Sequence, residues 1–180
     1  MLIEAKRSCL LIVDMQEKLL PAIADTQTVL SNTVWLVRAA TRLGVSILIS
    51  EQYPKGLGHT VPELSALMTA PAMEKTHFSC TVEPTCRERI MASRREQIIL
   101  TGIEAHVCVL QTALGLLEME KEVYVVADCV GSRQPFDKEL ALARMRAAGI
   151  QVVSREMVVF EWLHQSDTPL FREVSREFLR

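Results

Sequence analysis

Three side chains of this sequence could together form a nucleophile, a proton acceptor and a cation, and each lies at the edge of an apolar run. Asp14 closes the run Cys9-Leu-Leu-Ile-Val13. Cys108 follows Gln97-Ile-Ile-Leu-Thr101 after a short turn, where an apolar helical pattern begins. Lys75 lies in Ala72-Met-Glu-Lys-Thr-His-Phe-Ser79. A thiol at a helix start meets the positive end of the helix dipole and unpaired N–H groups, which favour the thiolate. A lysine beside it would favour the thiolate further, so such a thiol is expected to alkylate fast near neutral pH. The same N–H groups could hold an oxyanion on a carbonyl under attack. A carboxylate could take the thiol proton and later return it to a leaving group. Each residue also has an ordinary reading: Asp as a helix cap, Lys as a solvated surface charge, Cys as a small core residue.

The elements that must position these groups are legible as an alternation. Apolar runs at 9–13, 45–50, 97–101, 123–126 and 150–153 lack a polar face, as strands covered on both sides do. Helical patterns occupy 28–43, 107–119 and 137–148, with two closing helices at 156–163 and 168–179. Gly44 and Gly149 stand where a helix ends, and Asp137 is placed as a cap or first-turn carboxylate. The expected fold is α/β, a three-layer α/β/α arrangement of one domain over residues 1–180. Its sheet should be open, mostly parallel and of about six strands, in the Rossmann-like manner. Ligands of such sheets bind outside the carboxyl ends of the strands. The segments of interest are therefore 14–16, 51–53, 102–108 and 128–133. Residues 51–72, with four prolines or glycines in the first twelve positions, read as a long functional loop.

The bulk numbers narrow the partners. The chain has 180 residues, 20 basic and 22 acidic, a net charge of −2. Nothing in that balance calls for nucleic acid or an anionic membrane as partner. The N-terminal residues do not read as a secretion signal and no apolar run reaches a membrane span, so a cytoplasmic protein is expected. Five cysteines, odd in number and irregular in spacing, fit free thiols better than a disulfide framework or zinc cluster.

The motifs Leu10-Leu-Ile-Val-Asp14-Met-Gln16, Glu74-Lys75-Thr-His-Phe-Ser79 and Gly102-Ile-Glu-Ala-His-Val-Cys108-Val109 stand in this order. With Gln111-Thr-Ala113 and Val126-Ala-Asp128-Cys-Val-Gly-Ser132, they resemble the isochorismatase-like cysteine hydrolases over nearly the whole chain. The resemblance implies Cys108 as nucleophile, Asp14 as general base and then acid, and Lys75 as the cation between them. It also implies a cis peptide between Ile103 and Glu104, which would aim the N–H of Glu104, with that of Cys108, into an oxyanion hole. The implied course is attack on a carbonyl, loss of ammonia or an amine, and hydrolysis of a thioester. Nicotinamidases of this superfamily place an Asp-x-His metal pair after the second strand. Here that position reads Glu51-Gln52-Tyr53, with His59 nearby, a poor set for a transition metal. No metal or other cofactor is expected. True isochorismatases replace the nucleophile with glycine, so Cys108 argues against isochorismate as substrate. The segments 50–59 and 154–163 most resemble the small isochorismatase-domain-containing proteins and bacterial hydrolases of undefined substrate.

Gln16 and Gln52 could bind a small-molecule substrate through their amides, and Tyr53 and Phe78 could wall its pocket, though aromatics more often fill core. His106 is expected to be structural or interfacial; His77 and His164 carry no motif. Cys9, Cys80, Cys86 and Cys129 read as packing residues. Phe160, Trp162, Leu163, Phe171 and Phe178 give the C-terminal segment an apolar surface that suits core or a subunit interface, and a homo-oligomer, dimer or larger, is expected. The leading reading is a metal-independent cysteine amidohydrolase. Its rivals are a catalytically silent oligomeric scaffold on the same fold, a redox-sensing thiol protein centred on Cys108, and a flavodoxin-like nucleotide binder lacking any glycine-rich phosphate motif.

Overall fold

The computed structural model describes residues 1–179. Six parallel strands form one sheet: β1 (Ser8–Val13), β2 (Ser46–Gln52), β3 (Met73–Lys75), β4 (Gln97–Ile103), β5 (Glu122–Gly131) and β6 (Gln151–Val153). Their spatial order is β3-β2-β1-β4-β5-β6. The helices are α1 (Thr26–Arg42), α2 (Pro54–Leu57), α3 (Pro62–Ser65), α4 (Pro84–Ala92), α5 (Leu110–Glu118), α6 (Pro135–Ala147), α7 (Arg155–Leu163) and α8 (Pro169–Phe178).

The strand alternation sorts side chains into two cores. Leu10 and Ile12 of β1 join Leu36, Val158 and Val174 beneath α1, α7 and α8. Cys9, Leu11 and Val13 join Cys86, Ile90, Ala113 and Met145 beneath α4, α5 and α6. Both faces of β1 are thus fully buried, which is why its sequence is continuous hydrophobe and not an alternation. The sheet is entirely parallel, as right-handed crossovers to both faces require.

The path turns back on itself at β1. From β1 the chain moves outward through β2 to β3, then returns to place β4 on the other side of β1. A crevice opens at such a reversal, between the carboxyl ends of the two strands. Asp14 leaves β1 into this crevice, and the Cys108 turn leaves β4 into it.

Some local expectations need correction. β3, just past the 51–72 loop, falls where no element is expected; its three residues pair only with Ser50, Glu51 and Gln52, and Met-Glu-Lys has no apolar run to mark it. The 51–72 loop contains the two short helices α2 and α3, each opened by its proline. β5 runs on to Gly131, past a register shift against β4. Asp128 is therefore inside a strand, where its carboxylate accepts from the Arg155 backbone N–H, and it does not lie at the crevice. α6 starts with Pro135 behind Gln134, and Asp137 takes the second of its two expected places, a carboxylate in the first turn. In the C-terminal segment, Trp162 and Leu163 are buried and Phe178 packs edge-on against Trp35, whereas Phe160 is exposed. Among the described residues no helix is long and apolar enough to cross a membrane.

Candidate active site

Asp14 adopts a left-handed backbone, φ 53°, and its N–H donates to Ser50 O at 3.1 Å. The side chain is fully buried. The Ser50 hydroxyl donates to one carboxylate oxygen at 2.7 Å, and the Lys75 ammonium to the other at 2.7 Å. The approach of β4 to this point depends on Gly102. Its φ is +112°, and a side chain there would run into the carbonyl oxygen of Val13. This is the close backbone contact for which glycine is the available residue.

Lys75 is buried at the end of β3. Besides Asp14, its ammonium reaches Gln52 Oε1 at 2.6 Å, Phe78 O at 3.0 Å and His77 O at 3.3 Å. Burial is the largest single influence and opposes its charge, but Asp14, Cys108 and Cys80 together outweigh it, so its pKa is raised. Lys75 and Asp14 thus form a buried ion pair with its remaining hydrogen-bonding capacity taken up, the condition under which such a pair is tolerated. The turn presenting the two carbonyls is held by Glu83, which accepts from Thr76 N at 3.0 Å and pairs with His77 Nδ1 at 3.1 Å. The Thr76 N–H bond, then the His77 contact, hold the Glu83 carboxyl down at about 2.

Cys108 is 6 % exposed. It lies in a π-helical turn, Ala105–Val109, that precedes α5, and not at the first residue of the helix. The Ile103–Glu104 peptide bond is cis. The thiol reaches Gln52 Oε1 at 4.0 Å. The expectation of a depressed thiol pKa is reversed in this resting arrangement. Burial, and then the negative charge of Asp14, push the thiol far up, and Lys75 offsets them only in part. Burial is the larger part; the rest is electrostatic, since Lys75 is paired with Asp14 and the cation the thiol was to borrow is engaged.

Of the other predicted residues, Gln16 is fully buried and its amide is spent on backbone. It donates to Gln52 O at 3.0 Å and Gly58 O at 2.7 Å, and accepts from Gln52 N at 2.6 Å. It clamps the end of β2, and no group of its amide is left for substrate. Gln52 is likewise occupied: its Nε2 donates to Thr76 O at 2.8 Å, while Oε1 faces Lys75 and Cys108. Tyr53 and Phe78 are exposed, at 54 % and 53 %. Tyr53 helps line a cavity of about 240 Å³ with Pro54, Glu74, Lys75 and Glu83. The Glu104 carboxylate accepts from Arg133 Nε and N, both at 3.0 Å. His106 Nδ1 meets Ser132 Oγ at 2.9 Å.

Two residues escaped the sequence reading. Ser50 is an ordinary strand-end serine until β1 and β2 pair. Cys80 follows Lys75 by five residues, directly after the lysine motif, and no spacing rule flags it. Yet its N–H donates to Thr112 Oγ1 at 3.0 Å, one turn beyond Cys108 on the next helix. Its buried thiol is lowered first by a hydrogen bond with Cys86, and it feels both Asp14 and Lys75.

The segment matching a nicotinamidase metal pair does not fit a metal. Glu51 gives one carboxylate oxygen to Thr60 N and Oγ1 at 2.7 and 2.8 Å and the other to His59 at 3.0 Å. Gln52 is engaged as described. Among the described residues no cluster of three His, Cys, Asp or Glu side chains is arranged to hold a metal ion.

Residues 8–157 match the model of the isochorismatase domain. The chain is 40 % identical to isochorismatase domain-containing protein 2 of Danio rerio, over 97 % of this chain and 88 % of that protein. It is 38 % identical to the 2A protein of Mus musculus, over 94 % and 81 %. Among solved structures, the MAR1 ribonuclease of Caenorhabditis elegans superposes with a TM-score of 0.92 at 37 % identity, over 100 % of this chain and 93 % of that one. YcaC of Pseudomonas aeruginosa, solved with hexane-2,5-diol and covalent acrylamide, superposes at 0.91 with 25 % identity, over 99 % and 92 %. A match covering most of the sequence, two curated relatives along nearly its full length and a shared six-stranded sheet agree: this chain belongs to the isochorismatase domain family.

Proposed function

We propose that the protein is a cysteine-dependent hydrolase of a small amide or related C–N bond, with Asp14, Lys75 and Cys108 as its working groups. The observation that carries this reading is the meeting of a buried carboxylate, a buried ammonium and a thiol at one strand-end crevice. Binding of a carbonyl substrate shifts the thiol proton to Asp14, and the thiolate attacks the carbonyl carbon. The N–H groups of Glu104 and Cys108 receive the oxyanion. As the tetrahedral species collapses, Asp14 returns the proton to the leaving nitrogen, and ammonia or an amine departs from a thioester. Asp14 then takes a proton from water, which attacks the thioester; the acid leaves and the thiol is restored. Lys75 stays protonated throughout and holds both partners in register.

Thiols add to acrylamide, and the covalent acrylamide in P. aeruginosa YcaC is in keeping with a nucleophile in this fold. Ribonuclease is the name given to the C. elegans protein; the small acidic net charge of this chain lends RNA no electrostatic support as substrate. The protein is further proposed to be cytoplasmic and to self-associate.

The test is ammonia release from a panel of small amides by wild type and Cys108→Ala. Release by wild type, lowered about a thousandfold or more in the variant, is the expected result. Equal release by both, or none from either on any amide, would overturn the amidohydrolase. Peroxide treatment checks the sensor reading: a loss of two hydrogens as Cys108 and Cys80 join would favour it.

A further inference from the structure

We propose that Gln52 is a positioning residue that holds the Cys108 thiol protonated at rest and limits access of Lys75 to the thiolate. This rests on the proposed hydrolase site and assigns Gln52 a role within it, in place of the substrate contact its position after β2 first suggests.

The argument is one of valence. An ammonium has three N–H donors. Lys75 offers them to Asp14 Oδ2, Gln52 Oε1 and the paired carbonyls of Phe78 and His77, at 2.7, 2.6, 3.0 and 3.3 Å respectively. The two carbonyls share one N–H, so all three protons are engaged and none is free for Cys108. Gln52 Oε1 is also an acceptor that the thiol meets, at 4.0 Å, beside the Asp14 carboxylate, whose hydrogen bond with the thiol likewise favours S–H. One amide oxygen therefore faces both the cation and the thiol. It welcomes S–H and would repel S⁻. When the thiol proton moves to Asp14, the ammonium must exchange its bond to Gln52 for one to sulfur.

The amide is built not to turn. Its Nε2 is fixed on Thr76 O at 2.8 Å, so its oxygen must be the end that faces the ammonium. The backbone on either side is held by the Gln16 amide, at 2.6 and 3.0 Å. The titratable groups facing Cys108 from other elements are Asp14 after β1, Lys75 on β3 and Cys80 in the turn after β3. Gln52 is the neutral group set among them.

The test is the pH profile of iodoacetamide labelling at Cys108, followed by mass spectrometry of the peptide that carries it, with Cys108→Ala as the blank. Wild type should label slowly at neutral pH and rise only above about pH 9. Gln52→Leu frees one Lys75 donor for the thiolate, and its midpoint should fall by about one unit. Gln52→Glu sets a second carboxylate beside the thiol, and its midpoint should rise. Opposite shifts in two variants of the same position are not produced by loosening of the fold. Unchanged midpoints, or shifts of the same sign in both, would overturn the proposal; thermal melts identify a variant that has not folded, and Gln52→Met then replaces Gln52→Leu under the same criteria. Labelling needs no substrate. Opposite shifts with no amide turned over would keep this role for Gln52 and remove the amidohydrolase, and the converse result would do the reverse.

Discussion

Asp14 and Lys75 are each fully buried in side chain, and a buried charge without its partner is costly. Lys75→Met should strand the Asp14 carboxylate with only Ser50 to satisfy it. The expected loss is about 3 kcal/mol or more in urea unfolding. Adding Asp14→Asn to Lys75→Met should recover much of that loss, because the pair is then removed and not broken. A double variant no more stable than Lys75→Met would show that the two groups do not depend on each other. The identities of these residues were legible in the sequence because each sits at the edge of an apolar run and within a motif. Their electrostatics were not. The sequence places a cation near a thiol, but only the fold shows that Asp14 takes that cation first and that Gln52 stands between. Gln16 and Gln52 looked equivalent, as strand-end amides. The pairing of β1 with β2 turns one into a backbone clamp and the other into a neighbour of the thiol.

Elements decide how firmly those residues are held. Gly102 and Gly149 both have positive φ, +112° and +94°, but they carry different loads. At Gly149 a side chain would meet open space, so Gly149→Ala should cost only about 1 kcal/mol of backbone preference. At Gly102 a side chain collides with the backbone of β1. Gly102→Ala should destabilise by about 3 kcal/mol or more, or abolish soluble expression. Equal losses in the two variants would mean that β1 and β4 can part without harm. The turn after β3 gives a pH-dependent counterpart. Glu83 has its pKa lowered from 4.5 to about 2 by the Thr76 N–H and His77. A carboxylate depressed on folding adds stability above its unfolded value and loses it as pH falls through the folded one. The advantage of wild type over Glu83→Gln in melting temperature should therefore hold at pH 7 and shrink steadily below about pH 4.5. A constant gap from pH 7 to pH 3 would show that Glu83 does not hold the turn by its charge. The strands that carry whole-face burial were readable as apolar runs. β3 was not, because Met-Glu-Lys carries two charges where the equally short β6 lies in an apolar run, and the extension of β5 past Asp128 was hidden because the register shift against β4 breaks its pattern.

The whole molecule leaves several large apolar side chains uncovered, four of them on segments next to the Cys108 turn. Phe78 and Val82 are exposed on one side and Phe136 and Leu140, one turn apart on α6, on the other. Both pairs belong to segments packed on or next to the Cys108 turn. The 79–82 turn lies against α5 through the Ser79 hydroxyl and Gln111 O, 3.3 Å apart, while α6 packs on the turn itself. Exposed apolar side chains gathered at one place are a property of surfaces that meet a partner. The aromatic C-terminal segment is the other place to look, but there Trp162 and Leu163 are spent on the core and Phe178 on Trp35, which leaves Phe160 as its exposed aromatic. The proposed self-association is therefore expected to use the crevice side, and a second copy seated there would also narrow the entrance to Cys108. Light scattering coupled to size exclusion should give a mass above 20.2 kDa for wild type. Phe136→Asp combined with Leu140→Asp, both far from the core, should shift that mass toward a single chain while leaving the fold and the labelling midpoint of Cys108 in place. A wild-type protein that stays monomeric at high concentration removes the assembly. An assembly indifferent to the double variant moves it to another face, and substrate then reaches Cys108 through an entrance formed by one chain alone.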